Sequence, residues 1–212
     1  MPTLLLLLLL VAVGAVALRG ALRLRSLGRE VASLRDWARV EGATMLRNRR
    51  AFVEDVELEL SRAGRAGSPA SLIVASFDSP EDADAAAACG REFARAAGAV
   101  TRAVDVAYRI GAAEYALILP DTRARGALVA AARLEQAVAE GNAPCVLRLG
   151  LAEAGPGVDR HELFRNAYCA LLAAGRDGRP TVLAYSPELE RSGANADLTS
   201  LGEIRAANRL EG

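Results

Sequence analysis

The stretch from Arg102 to Pro120 limits the possible folds more than any other part of the chain. Val104, Val106, Tyr108 and Ile110 alternate along it, Tyr115 to Leu119 forms a second apolar run, and Gly111-Ala112-Ala113 separates the two. Period-two alternation broken at a glycine is the signal of two antiparallel strands joined by a tight turn. Charged residues stand at both ends of this hairpin, and the functional reading turns on them.

The elements around the hairpin decide what it pairs with. A helix restarts after Glu41-Gly42 and runs to about Ala63, with Phe52, Val56 and Leu60 on one face. Gly64, Gly67, Ser68 and Pro69 form a turn, and Ser71 to Phe77 reads as a central strand. Ser79-Pro80-Glu81-Asp82 opens an Ala-rich helix to about Ala99, with proline and carboxylates placed favourably in its first turn. After the hairpin, Asp121-Thr122 is the expected cap of a helix from Arg123 to Glu140 that buries Leu128, Ala131, Leu134 and Val138. Pro144 to Ala152 reads as a strand, Asp159 caps a helix to about Ala174, and Thr181 to Tyr185 is the last strand. The tail, Ser186 to Gly212, is polar, with one short helix expected near Leu201 to Leu210. A strand, a crossover helix and then a hairpin give an α/β (α+β) domain: a mixed five-stranded sheet around a central antiparallel hairpin, flanked by helices.

Ahead of this domain, residues 41–185, lies an unbroken apolar run from Leu4 to Leu18. As a helix it spans roughly 22 Å, a little short of a ~30 Å hydrocarbon core, and Gly20 to Leu22 extend it if Arg19 snorkels. A cleaved signal peptide carries its basic residues before the apolar run. Here Arg19, Arg23, Arg25 and Arg29 all follow it. The expectation is therefore an uncleaved transmembrane helix over residues 1–22, in an inner membrane, with the C-terminal domain in the cytoplasm. Leu24, Leu27, Val31, Leu34 and Ala38, within the linker 23–40, then follow a 3-4-3-4 spacing. Two readings stand side by side: a short coiled coil that pairs two copies, helped by tethering to a membrane, or a helix that packs on its own domain.

Formal net charge is zero over 212 residues, so no global field favours nucleic acid. All 26 basic residues are arginine, which excludes any mechanism that requires a lysine. Cys89, Cys145 and Cys169 show no CxxC spacing and read as buried reduced thiols, consistent with a cytoplasmic domain. His161, the single histidine, begins a helix without a second histidine nearby, so neither a zinc site nor a histidine triad has support.

Four motifs in order resemble the GGDEF domain of bacterial diguanylate cyclases, a nucleotide-cyclase-like fold, over about Glu41 to Tyr185. The family's entry motif D-x-L-T-G-L-x-N-R-R-x-F is matched in register by Glu41, Thr44, Leu46, Asn48, Arg49, Arg50 and Phe52. The signature loop falls at Gly111-Ala112-Ala113-Glu114-Tyr115, and Ala116 to Thr122 continues as the family does. Ala174-Gly175-Arg176-Asp177-Gly178-Arg179-Pro180 is similar to the family's A-K-x-x-G-R-N.

Joining two GTP molecules takes metal ions held by carboxylates. By the resemblance, one ligand position is Ser76, leaving Asp78; the third signature position is Ala113, leaving Glu114; and the second signature glycine is Ala112. The family's lysine is replaced by Gly175, although Arg179 matches the neighbouring arginine. The segment after Asp78 is short, and no asparagine lies between Asn48 and Asn142 to read guanine. The resemblance therefore implies a degenerate domain, a pseudoenzyme with no catalytic residues, no metal and no resident cofactor.

The other end of the hairpin implies something different. Many family members carry R-x-x-D before the signature as an inhibitory site for cyclic di-GMP, and Arg102 and Asp105 stand at that offset, with Arg133 matching a further family arginine. A guanidinium can donate two hydrogen bonds to guanine O6 and N7, and a carboxylate can accept from N1–H and N2–H₂. The expected function is a membrane-anchored cyclic di-GMP receptor that signals to a protein partner whose identity the sequence does not give. Two alternatives stand beside it: a nucleotide-free dimerisation or scaffold module, and a residual Mg²⁺-dependent cyclase or GTP binder using Asp78, Glu114 and Arg179.

Overall fold

The structure is a computed structural model that describes residues 19, 23, 39–77, 82–141, 146–176 and 181–191. The expected membrane anchor, the seam from Leu24 to Ala38 and the helix near Leu201 lie outside the described residues, as do Asp78, Cys145 and Arg179. Among the described residues no helix is long and apolar enough to cross a membrane. The chain divides into two compact units, Met1–Arg39 and Val40–Gly212, and the second carries the sheet.

That unit runs β1 (Arg47–Asn48), α1 (Arg49–Ala66), β2 (Ala70–Phe77), α2 (Ala83–Val100), β3 (Val106–Arg109), β4 (Glu114–Pro120), α3 (Ala124–Ala139), β5 (Leu147–Glu153), α4 (Arg160–Ala173), β6 (Val182–Ala184) and α5 (Pro187–Arg191). The sheet order is β1-β3-β4-β2-β5-β6. β3 and β4 form the expected antiparallel hairpin, and β2 lies antiparallel between β4 and β5.

The sheet has six strands, not five. The extra strand, β1, pairs parallel to β3 through Arg47↔Tyr108 and Asn48↔Arg109. Two residues carry no alternation to read. Asn48 also caps α1, accepting from the Ala51 nitrogen at 3.0 Å, so the local sequence reads as a helix start.

Alternation along β2 splits the core into two layers. Ile73, Ala75 and Phe77 pack with α2 and α3, whereas Leu72 and Val74 pack with α1 and α4. A strand covered on both faces is apolar on both, which is why Leu72 to Ala75 in the middle of β2 reads as a continuous hydrophobic run. Gly150 on β5 allows α4 to sit directly on the sheet: a Cβ there would collide with the Leu171 nitrogen and the Ala167 carbonyl oxygen.

Helix starts follow local chemistry only in part. Asp159 caps α4 as expected, accepting from the Glu162 nitrogen at 2.8 Å. α2 begins later than expected, at Ala83, with Asp82 accepting from the Ala85 nitrogen at 2.7 Å. α3 has no side-chain cap of its own; the Glu153 carboxylate, from β5, accepts from the Ala124 nitrogen at 2.8 Å. Thr122, the expected cap, turns its hydroxyl to the Pro120 carbonyl instead.

The cysteines also divide. Cys169 is buried and outside any disulfide, as expected. Cys89 is disulfide-bonded, contrary to expectation. With Cys89 in a disulfide, the cysteines cease to argue for a reducing compartment.

Candidate functional site

The hairpin carries a site at each end. At the turn, Ile110 and Gly111 both donate their N–H to the Glu114 carbonyl, at 2.9 and 3.2 Å. Arg109, the last residue of β3, clasps this turn from outside. Its Nε donates to the Gly111 carbonyl at 3.2 Å, its Nη2 to the Ala112 carbonyl at 2.9 Å, and its Nη1 to the Glu41 carboxylate at 2.9 Å. Glu41 in turn accepts from the Thr44 nitrogen and hydroxyl. Burial alone would push the Glu41 carboxyl up. The Thr44 and Ala43 hydrogen bonds and the Arg109 charge outweigh it and hold Glu41 below the usual carboxylate value. The entry motif and the signature loop are thus one hydrogen-bonded unit.

Tyr115 occupies the last signature position and is fully buried. Its ring stacks on Phe93 at 4.2 Å and meets Phe77 edge-on at 5.7 Å. Its hydroxyl is buried without a hydrogen-bond partner. Burial raises its pKa, outweighing the lowering by Arg109. Gly90 on α2 makes room for that hydroxyl, since a Cβ there would lie 2.7 Å from it.

The alternation brings Ser76, Glu114 and Arg148 side by side on the face of the sheet that α4 covers, through Ser76↔Glu114 and Ser76↔Arg148. Glu114 does not reach into an open cavity. One oxygen accepts from the Tyr168 hydroxyl at 3.2 Å, and the other lies over Gly111, 2.6 Å from where a Cβ would stand. The Arg148 side chain passes Gly175, with Nε 3.2 Å from the Cβ that Gly175 lacks. Hard divalent cations need several oxygen ligands at close range. Among the described residues no three His, Cys, Asp or Glu side chains converge. Of the implied metal positions, the described ones hold a serine hydroxyl at Ser76, a methyl group at Ala113 and one carboxylate, Glu114, engaged by Tyr168.

At the base of the hairpin, Arg102 and Asp105 meet as the sequence predicts. The Asp105 carboxylate accepts from the Arg102 backbone nitrogen at 2.8 Å, from Nε at 3.2 Å and from Nη2 at 2.7 Å. Nη2 also donates to the Pro120 carbonyl at 3.1 Å and to the Thr122 hydroxyl at 2.7 Å. The Arg102 side chain is 56% exposed and that of Asp105 only 5%. These bonds fix the guanidinium plane while leaving Nη1 outside all of them. The buried Asp105 carboxylate thus orients the Arg102 guanidinium. Arg133 is exposed on α3, and no hydrogen bond or ion pair joins it to this pair.

Three further site residues escape a reading by motif: Arg109, Arg148 and Tyr168. Only Arg148 leaves a sequence signal, as a charge inside the otherwise apolar run Val146 to Ala152.

The GGDEF domain of DgcB from Caulobacter crescentus, solved in complex with c-di-GMP, superposes with a TM-score of 0.61 at 24% identity, over 69% of this chain and 95% of that one. The active GGEEF domain of a diguanylate cyclase from Vibrio cholerae gives 0.57 at 24%, over 66% and 97%. Diguanylate cyclase SiaD from Pseudomonas aeruginosa, solved with its activator SiaC, gives 0.60 at 23%, over 78% and 69%. At these identities the likeness establishes the fold. No curated protein sequence matches the chain. The family model described as diguanylate cyclase, GGDEF domain, matches residues 38–180, well over half of the chain, and the protein therefore belongs to the GGDEF family.

Proposed function

We propose that this GGDEF domain is a receptor for cyclic di-GMP and does not synthesise it. The observation that carries the reading is the Arg102 guanidinium, held in one plane by Asp105, Pro120 and Thr122 while more than half exposed. A guanidinium plane fixed before the ligand arrives loses little freedom when its Nη1 donates to guanine. Arg133 enters as a second cation for the ligand's phosphates. The catalytic end supports the same reading, because Ser76 and Ala113 stand where metal carboxylates are expected and Glu114 is engaged by Tyr168. We propose that the domain works without a metal or other cofactor, passing ligand state to a protein partner. We also propose that Leu4 to Leu18 anchors it in an inner membrane with the domain in the cytoplasm, a reading that rests on the arginines after that run.

Calorimetric titration of the full-length chain in detergent with cyclic di-GMP tests the reading. The expected result is saturable binding, weakened about tenfold or more in Arg102→Ala, the cost of losing a charge-assisted hydrogen bond. Incubation with GTP and Mg²⁺ should yield no cyclic di-GMP. Binding unaffected by Arg102→Ala sinks the receptor site, and measurable synthesis sinks the claim of inactivity.

A further inference from the structure

Thr122 stands where the sequence places the cap of α3, yet its hydroxyl faces the base of the hairpin. The hydroxyl donates to the Pro120 carbonyl at 2.8 Å and accepts from Arg102 Nη2 at 2.7 Å. A hydroxyl has one proton, so the bond to Pro120 turns its lone pairs towards the guanidinium. Glu153 caps the first turn of α3 from β5, which leaves the Thr122 hydroxyl to this task.

Three contacts seat Thr122 in that orientation. Its backbone nitrogen donates to the Pro69 carbonyl at 3.2 Å, and its own carbonyl accepts from the buried Ser71 hydroxyl at 2.8 Å, tying it to the chain entering β2. Its methyl group lies over Gly126 in the first turn of α3, 3.0 Å from where a Cβ would stand. An alanine at 126 would push that methyl aside, and the hydroxyl on the same carbon would turn with it.

Asp105 holds the guanidinium from one side only, through Nε and Nη2. The arginine of this pair is 56% exposed, and ion pairs in such surroundings are weak. Thr122 and Pro120 accept from Nη2 at the end of β4, on the far side of the hairpin. We propose that Thr122, seated by Gly126, is the positioning residue that fixes the Arg102 guanidinium and so sets how tightly that site holds a guanine-bearing ligand. The ligand half of this rests on the receptor function proposed for Arg102; the positioning half holds without any ligand.

Two measurements on the full-length chain in detergent test it. With ¹⁵N-arginine labelling, the heteronuclear NOE of Arg102 Nε–H reports fast side-chain motion in the absence of ligand, and the signal is assigned by its loss in Arg102→Lys. Order at Arg102 should fall in Thr122→Val and in Gly126→Ala. It should return in Thr122→Ser, which keeps the hydroxyl, and in Thr122→Ser combined with Gly126→Ala, which removes the crowded methyl. Arg109 Nε, bonded to the Gly111 carbonyl, should stay ordered throughout. Calorimetric titration with cyclic di-GMP should follow the same pattern: about three- to tenfold weaker in Thr122→Val and Gly126→Ala, and within about twofold of the native affinity in both serine variants. Unchanged order at Arg102 in Thr122→Val overturns the proposal. So does a loss of order at Arg109 as well, which would mean that the hairpin had loosened as a whole. Tighter binding in Thr122→Val also overturns it, because the hydroxyl would then be competing with the ligand for Nη2. Absence of cyclic di-GMP binding by the native chain overturns the receptor reading and the ligand half with it, while the order measurement still decides the positioning.

Discussion

Tyr115→Phe removes the one buried hydroxyl that the signature loop leaves without a partner. The ring is fully buried between Phe93 and Phe77, and both ring contacts survive the change. A buried hydroxyl without a hydrogen bond costs about 1–3 kcal/mol in mutational series. Deleting one oxygen leaves a void on the order of 10 Å³, which returns only about 0.2 kcal/mol of cavity cost. The variant should therefore be more stable by about 1 kcal/mol, a rise of roughly 2–4 °C in Tm for a chain of this size. Gly90 makes the test specific. Alanine in the middle of α2 gains about 1 kcal/mol of helix propensity over glycine. In the native protein that methyl would lie 2.7 Å from the Tyr115 oxygen, and Gly90→Ala should destabilise. With phenylalanine at 115, the nearest ring atom is 3.8 Å away, and the clash is gone apart from the Thr44 methyl at 3.2 Å. The two substitutions should couple favourably by about 1 kcal/mol or more in a double-mutant cycle read by urea denaturation and far-UV circular dichroism. A loss of 1 kcal/mol or more in Tyr115→Phe would refute the reasoning, because it would mean that the hydroxyl has a bonding partner. Simple additivity of the two changes would show that the hydroxyl does not point at Gly90.

Two other predictions concern the entry motif. Met45 takes the glycine position of that motif, with φ of 59° and its side chain 74% exposed, so Met45→Gly should relieve left-handed strain and stabilise by about 0.5–1 kcal/mol after the extra entropy of the unfolded chain is counted; a loss of stability in urea would contradict this. Glu41 titrates below its ordinary value of 4.5 in the folded protein, so its contribution is complete above that value and is lost as pH falls through the lower folded value. Glu41→Gln should thus cost about 1–2 kcal/mol at neutral pH and flatten the acid limb of stability against pH; an unchanged acid limb would count against the Arg109–Glu41 clasp.

The sheet's interior strands were legible because each is buried in a period that neighbouring residues alone can show. The middle of β2 reads as a continuous apolar run and β3 as an alternation. β1 was not legible, since two residues have no period and Asn48 carries a stronger helix-cap signal. The α3 cap was misread for a different reason: Glu153, which accepts from its first turn, is 29 residues away. The candidate site divides in the same way. Arg102 and Asp105 are three residues apart and meet as their spacing suggests. Tyr168 and Glu114 are 54 apart, and Arg109 and Glu41 are 68 apart.

By itself the sequence determined the order of helices and strands, the hairpin at their centre and the motifs that place the chain among GGDEF domains. Those features depend on near-neighbour sterics, on capping and on hydrophobic period, all of which act within a few residues. Only the tertiary structure decided which charges face one another. Strand order and register set Ser76 beside both Glu114 and Arg148, and the same register aims Arg148 past Gly175. A shift of one residue in either strand pairing would have turned those side chains to the opposite face. The meeting of Ser76, Glu114 and Arg148 thus follows from long-range pairing, whereas the Arg102–Asp105 pair at the hairpin's base is written locally.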